Sequence, residues 1–328
     1  MAEPNTDFSQ GSVWKNIVRM SIPITLAQLI NILYNIVDRM YIGHIPGAGA
    51  LALTGLGLCL PVISIVMAFA RLSGMGGGPL CSIERGKGDF QEAERIMGNS
   101  FTLLMIFAVV LTFLGEVFLR PILMAFGASN DTIGYAMDYG RIYLAGNVFV
   151  LISLGMNNFI NAQGFARTGM VTTLVGAVLN IVLDPIFIFV LDWGVKGAAT
   201  ATVISQAASF IISMIYLYIR RESFGFDFKL RSFAMDGKTF KSLSYLGLPL
   251  TVQTSAINIS MLFVSAGINA YGLVYASVYG IGSKLTSIMF IITNSISTAS
   301  ATMFGQNLGA GKHDRVRQVF WFGNLYCI

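Results

Sequence analysis

Two acidic residues stand within long apolar runs of this sequence. Asp184 lies in residues 169–191, and Asp38 lies in residues 17–42. About 20 apolar residues suffice to cross a bilayer as a helix. An ionised carboxylate at that depth is costly unless it faces a wet cavity, a cation or a hydrogen-bonding partner. The two acids are therefore candidate sites for a proton or a small cation.

Further oxygen-bearing side chains are spaced to join these acids. Asn180 lies four residues before Asp184 and so shares its helix face, and Pro185 removes a backbone donor next to it. At about 1.5 Å per residue, Asp38, Asp184 and Thr202 each lie roughly 7–12 Å from the same end of their segments. This common depth predicts a single site.

Each candidate also has a structural interpretation that the sequence leaves open. Asp184 can be a structural acid, and Asp38 can pair with Arg39 or lie at the interface. Asn180 and Thr202 can serve as ordinary hydrogen-bonding residues of packed helices. Two basic residues within apolar segments, Arg71 and Lys284, are secondary candidates.

Composition defines the class of protein. Of the 328 residues, 55% are hydrophobic and only 11% are charged, and the mean hydropathy is +0.69, whereas about a quarter of the residues of soluble domains are charged. These values predict a polytopic membrane protein that is embedded in the lipid bilayer. The net charge of +5 comes from basic residues scattered through short loops, which argues against a nucleic-acid partner.

Motifs for enzymatic chemistry are missing from the sequence. It contains no HExxH and no P-loop lysine after the glycines at 74–78, and its two histidines fall at loop positions. We therefore predict that the chain is not an enzyme, has no cofactor and hydrolyses no ATP itself.

Eight apolar segments can span a bilayer, and a ninth begins near Val316, where 13 residues remain. We predict an N-terminal lobe of six helices over residues 1–218, a charged cytoplasmic linker over 219–242, and a partial second lobe over 243–328 with two helices and the start of a third. The eight segments are 17–42, 51–80, 96–119, 139–162, 169–191, 198–218, 243–268 and 275–304.

The basic residues fix an orientation. Most Lys and Arg fall in the N-terminus and in alternate connections, notably 84–95, 219–242 and 305–317. The positive-inside rule places these connections, and with them the N-terminus, in the cytoplasm. We expect a multi-pass protein of the plasma membrane.

The second half of the chain echoes the first. SIPITLAQ at 21–28 corresponds to GLPLTVQT at 247–254, and GKGDFQEAERI at 86–96 corresponds to GAGKHDRVRQV at 309–319. Both copies begin on the predicted cytoplasmic side, which indicates a parallel repeat about an axis along the membrane normal. The predicted fold is all-α, with two six-helix lobes related by a pseudo-two-fold axis and the second lobe incomplete.

These segments resemble the multidrug and toxic compound extrusion (MATE) transporters over nearly the whole chain. The resemblance is carried by IPITLAQLINILYNIVDRMYIG at 22–43, SIERGKGDFQEAE at 82–94, NNFINAQGFARTGM at 157–170, LNIVLDPIFIF at 179–189, GVKGAATATVISQ at 194–206 and GQNLGAGKHDRVRQ at 305–318.

The resemblance implies a function and its residues. It implies secondary active multidrug efflux, in which cationic amphiphilic compounds exchange for Na⁺ or H⁺ by alternating access, in a protein that is monomeric when full length. Carried onto this sequence, the cation or proton site comprises Asp38, Asn180, Asp184, Thr202 and Asn157. Na⁺ is the metal that the first four can bind.

Two other functions remain open at this point. A flippase or exporter of lipid-linked sugars would need several basic residues in its interior, for which Arg71 and Lys284 are the candidates. A truncated fragment without export activity of its own is the third possibility, since the second lobe lacks its remaining helices. A membrane enzyme is the least favoured interpretation.

Overall fold

The computed structural model describes residues 7–221, 229–269 and 273–325, and the regular structure in this part of the chain is helical. The bounds are α1 Val13–Gly43, α2 Gly49–Lys87, α3 Phe90–Ala125, α4 Ile133–Ala145, α5 Asn147–Ala162, α6 Ala166–Pro185, a π turn Ile186–Val190, α7 Gly194–Ile219, a short 3₁₀ turn Leu230–Phe233, α8 Gly237–Asn269, α9 Leu273–Gly309 and α10 His313–Leu325.

The helices confirm a polytopic all-α membrane protein. By length and composition, six helices within the described ranges can cross a bilayer, and the bent pair α4–α5 can supply a seventh crossing. The six are α1, α2, α3, α6 with its π turn, α7, and the Thr286–Gly309 part of α9. The predicted division into lobes and linker stays a prediction. Around the predicted linker, α7 ends at Ile219 and α8 begins at Gly237.

One predicted helix is broken. Residues 139–162 were expected to form a single helix, but α4 and α5 meet at Gly146 with a bend of 57°. A Cβ at Gly146 would overlap the side chain of Val203 on α7. Glycine permits this close approach of α7 and also weakens the helix locally.

A second irregularity lies at the end of α6. Pro185 is the last residue of this helix, and the chain continues through the π turn. Proline has no N–H to donate, so the hydrogen bond to the carbonyl group four residues earlier is missing there and the helix is weakened locally. Short π segments of this kind are frequent at functional sites.

The first lobe has an aliphatic and aromatic core to which α2, α3, α4, α5 and α7 contribute. Fully buried members from different helices, such as Leu104, Leu119, Leu144, Leu151 and Phe159, pack together in one cluster. Helix α1 lies along α6 at the side of this core. The tightly packed core therefore provides a rigid support for the α1–α6 contact.

The two lobes touch through backbone at one end. A Cβ at Gly309 of α9 would overlap the carbonyl oxygen of Ile83 on α2, and a Cβ at Gly86 of α2 would overlap the carbonyl oxygen of Gln306 on α9. We call these four residues the glycine seal. It adjoins the loop after α2, on the side that the basic residues predict to be cytoplasmic.

The segment before α1 is held at the same end. The Arg315 guanidinium of α10 donates hydrogen bonds to the carbonyl oxygens of Phe8, Gln10 and Gly11 at 3.0, 3.1 and 2.9 Å. Phe8 is buried in a small apolar cluster with residues of α1, α9 and α10. This Arg315 clamp ties the start of the first lobe to the second.

Candidate functional site

The two intramembrane acids meet where α1 lies against α6. Asp38 of α1 is 6% exposed and Asp184, next to last in α6, is fully buried. Their carboxyl groups are near enough to each other to interact electrostatically. Two like charges so close together in a buried site repel each other, so the pair favours a bound proton or cation.

Asn180 and Thr202 complete the cluster. The Asn180 amide Nδ2 donates to Asp184 Oδ1 at 3.3 Å and lies 3.4 Å from Thr202 Oγ1 on α7. Asn180 is 1% exposed, so its amide links α6 to α7 inside the lobe. The structure thus brings together Asp38, Asn180, Asp184 and Thr202, as their common depth suggested. Their role in binding an ion stays a prediction.

Close approach of α7 to α6 positions this cluster. A Cβ at Gly176 of α6 would overlap the Ser209 hydroxyl of α7, and a Cβ at Gly197 of α7 would lie 2.6 Å from the backbone of Phe187 in the π turn. These glycines therefore allow contact on both sides of Asn180. A larger residue at either position would move Thr202 away from Asn180.

Two tyrosines that sequence reasoning missed also surround the acids. Tyr34 lies near both carboxyl groups and near Gln206 of α7. Tyr139 of α4 is 4% exposed and lies beside Asp38 and Thr202. Tyr34 could have been found, because it precedes Asp38 by four residues on one helix face. No spacing in the sequence points to Tyr139.

Three buried oxygens of the cluster have no hydrogen-bond donor in the part of the chain that the structure describes: Asp38 Oδ1, Asn180 Oδ1 and Asp184 Oδ2. Buried polar atoms normally have a hydrogen-bond partner, so oxygens without one are expected to bind a proton, a water molecule or an ion. Carboxylate, amide and hydroxyl oxygens are the ligands of hard cations. The donor set therefore fits Na⁺ as well as a proton.

Asn157 belongs to a different polar network. Its Nδ2 donates to the Gly169 carbonyl and the Thr172 hydroxyl, both at 3.0 Å, and its Oδ1 accepts from Asn161 at 3.0 Å. Thr172 precedes Asn180 by eight residues, or about 12 Å along α6. The structure does not bring Asn157 into the acid cluster.

The secondary candidates lie elsewhere. Arg71 is an exposed residue of α2, next to Leu72, whose carbonyl oxygen meets Gly247 of α8. It lies at the contact between the lobes and not in the acid cluster. Lys284 falls within α9, but its side chain lies outside the described part of the structure.

The acid cluster lies between three helices of a membrane-spanning bundle. This arrangement is typical of a polytopic membrane transporter. Comparison with known proteins agrees. The MatE family model matches residues 23–186 and 249–325. The chain belongs to this family, the multidrug and toxic compound extrusion transporters.

Individual relatives support the assignment. The chain is 27% identical over 320 residues to the probable multidrug resistance protein YoeA of Bacillus subtilis, covering 96% of this chain and 69% of that protein. It is 26% identical over 307 residues to the multidrug export protein MepA of Staphylococcus haemolyticus, covering 93% and 67%. A solved outward-facing structure of a multidrug resistance MATE family transporter superposes with a TM-score of 0.89 at 25% identity, covering 98% of this chain and 71% of that one.

Proposed function

We propose that this chain carries out secondary active multidrug export, in which cationic amphiphilic compounds leave the cell in exchange for Na⁺ or H⁺ that enters by alternating access. The supporting observation is the Asp38–Asp184 pair, whose oxygens are buried at the contact of two membrane helices. Helix α1 carries one acid and also borders the second lobe through the Gln28–Ser295 hydrogen bond at 3.2 Å. A cation bound at the pair can therefore influence how the lobes meet.

Exchange requires that binding of the cation lowers the affinity of the protein for the drug. By thermodynamic linkage, binding of the drug lowers the affinity for the cation by the same factor. Coupling energies of about 1–3 kcal/mol correspond to roughly 5- to 150-fold changes in affinity. We expect ethidium to bind the purified 328-residue chain in lipid nanodiscs about tenfold more weakly when Na⁺ replaces choline, or when the pH falls from 8 to 6. Fluorescence anisotropy measures the affinity.

The matched control for this measurement is Glu116→Gln. Glu116 is an acid that pairs with Arg141 at 3.8 Å on the lobe surface, so the variant should retain the full cation effect. An ethidium affinity that neither Na⁺ nor protons alter in the wild-type chain would contradict exchange.

The same proposal fixes the orientation, with the N-terminus in the cytoplasm of a plasma-membrane protein. A cysteine at exposed Asn130, between α3 and α4, should react in intact cells with an impermeant maleimide, whereas one at exposed Lys87 should react only after lysis. The background replaces Cys59, Cys81 and Cys327 with alanine. Labelling of position 87 but not 130 in intact cells would invert the orientation.

A further inference from the structure

A cavity of about 590 Å³ lies at the end of the first lobe opposite the glycine seal. We call it the vestibule. Its walls come from the α1–α2 loop, the first three turns of α4, the connection between the π turn and α7, and the start of α7. Six of its lining residues carry the argument: Ile45, Asp138, Asp192, Trp193, Lys196 and Thr200.

Each wall of the vestibule continues into an element of the acid cluster. Asp138 and Tyr139 are adjacent on α4, and Thr200 precedes Thr202 by two residues on α7. Ile45 and Asp192 follow Asp38 and Asp184 by seven and eight residues, or about 10–12 Å along their segments. The vestibule therefore lies over the acid cluster, on the side that the basic residues predict to be outside.

The vestibule and the acid cluster are joined by neighbouring residues of α4 and by the π turn. Tyr139, which is 4% exposed, lies beside both Asp38 and Thr202, while its neighbour Asp138 lines the vestibule. The π turn lies between Asp184 and Asp192, where proline has already interrupted the regular helix. The buried, unpaired oxygens of the cluster belong to residues of these same elements or of elements packed against them.

The charges around the vestibule favour a cation. Asp138 and Asp192 each supply a carboxylate, and Lys196 supplies the opposing charge. The Lys196 ammonium lies 3.6 Å from Asp138 Oδ1, with 59% and 45% of the two side chains exposed. An exposed ion pair contributes at most about 1 kcal/mol, so Lys196 can leave Asp138 at little cost.

We propose that the vestibule is the route by which Na⁺ or a proton from outside reaches the Asp38–Asp184 pair, and that Asp138 and Lys196 set the rate of this access. Asp138 attracts the incoming cation. Lys196 competes with it for the same carboxylate and swings into solvent when the cation passes. The inference rests on the proposed function, because it assumes that the acid pair binds the cation.

Trp193 offers a local reporter. Its ring stacks on Phe187 of the π turn, with centroids 5.4 Å apart, and its backbone N–H donates to the Phe187 carbonyl at 3.0 Å. The chain has three tryptophans, so Trp14→Phe with Trp321→Phe leaves Trp193 as the single tryptophan, which can be excited selectively over the tyrosines. Cation binding next to Pro185 should therefore change its emission.

The test is stopped-flow fluorescence of this single-tryptophan chain in nanodiscs, after a jump in Na⁺ at constant ionic strength or a jump in pH. At low salt we expect Asp138→Asn to slow the observed association rate by roughly three- to tenfold and Lys196→Gln to raise it by a similar factor. Both differences should shrink in 0.5 M choline chloride (about 4 Å screening length) because salt screens exposed charges.

The controls are Glu92→Gln and Arg95→Gln, which change the same charges in an exposed ion pair at the start of α3, at the end of the protein opposite the vestibule. They should leave the rates unchanged. A normal fluorescence response with wild-type rates in both vestibule variants would overturn the inference alone. Lack of response to Na⁺ and to protons would overturn it together with the proposed function.

Discussion

Asp184→Asn should reduce the cation dependence of ethidium binding from about tenfold to less than twofold. The amide matches the carboxyl group in size and is cheaper to bury than a carboxylate, so the protein should accumulate and fold normally. It cannot take up a proton, and it brings no negative charge to Na⁺. Ethidium affinity should therefore stay near the weak, cation-loaded value at every pH and Na⁺ concentration.

Two companion variants sharpen this experiment. Asp38→Asn should behave like Asp184→Asn, because the two carboxyl groups act as a pair. Asp131→Asn removes an acid from an exposed loop and should retain the wild-type cation effect. If Asp184 were only structural, the opposite result would be expected. Asp184→Asn would then lower the yield of folded protein, while ethidium binding to the folded molecules would keep its cation dependence.

Gly309→Leu should open the end of the protein that the glycine seal closes. The new side chain would overlap the Ile83 carbonyl oxygen, and backbone cannot move aside as a flexible side chain can. Overpacking of this kind costs about 1–3 kcal/mol, which shifts a two-state population by roughly 5- to 150-fold. The lobes should therefore spend most of their time apart at this end.

Spin labels on exposed Gln91 of α3 and exposed Asp314 of α10 report this separation by double electron–electron resonance. The wild-type chain should show mainly the short distance and Gly309→Leu mainly a longer one. Gly57→Leu is the matched control, because a Cβ at Gly57 of α2 meets no atom within 4 Å. An unchanged distance in a folded Gly309→Leu protein would show that the seal does not hold the lobes together.

The depth of the acid cluster was predictable because a helix rises by a fixed amount per residue and successive crossings alternate in direction. Counting residues from one end therefore placed Asp38, Asp184 and Thr202 at one level before any contact was known. Counting cannot give the rotation of a helix about its axis or its neighbours. Asn157 was assigned by resemblance and not by counting, and its contacts with Thr172 and Gly169 lie about 12 Å and about 16 Å from Asn180 along α6.

Tyr139 was missed for a related reason. Residues 139–162 are apolar enough to be taken for one straight helix, in which Tyr139 is just another aromatic residue. The 57° bend lies at Gly146, where Val203 of a different helix occupies the space that a side chain would need. Local sequence records the glycine but not the side chain that occupies the space beside it.

The Arg315 clamp also bears on how the protein is made. Phe8 and Arg315 are separated by 307 residues, and at a synthesis rate of about 5–20 residues per second roughly 15–60 s pass between them. During that interval the carbonyl groups of Phe8, Gln10 and Gly11 lack the Arg315 guanidinium that they bind in the folded protein. The segment before α1, although it is translated first, can therefore reach this arrangement only after α10 has been synthesised.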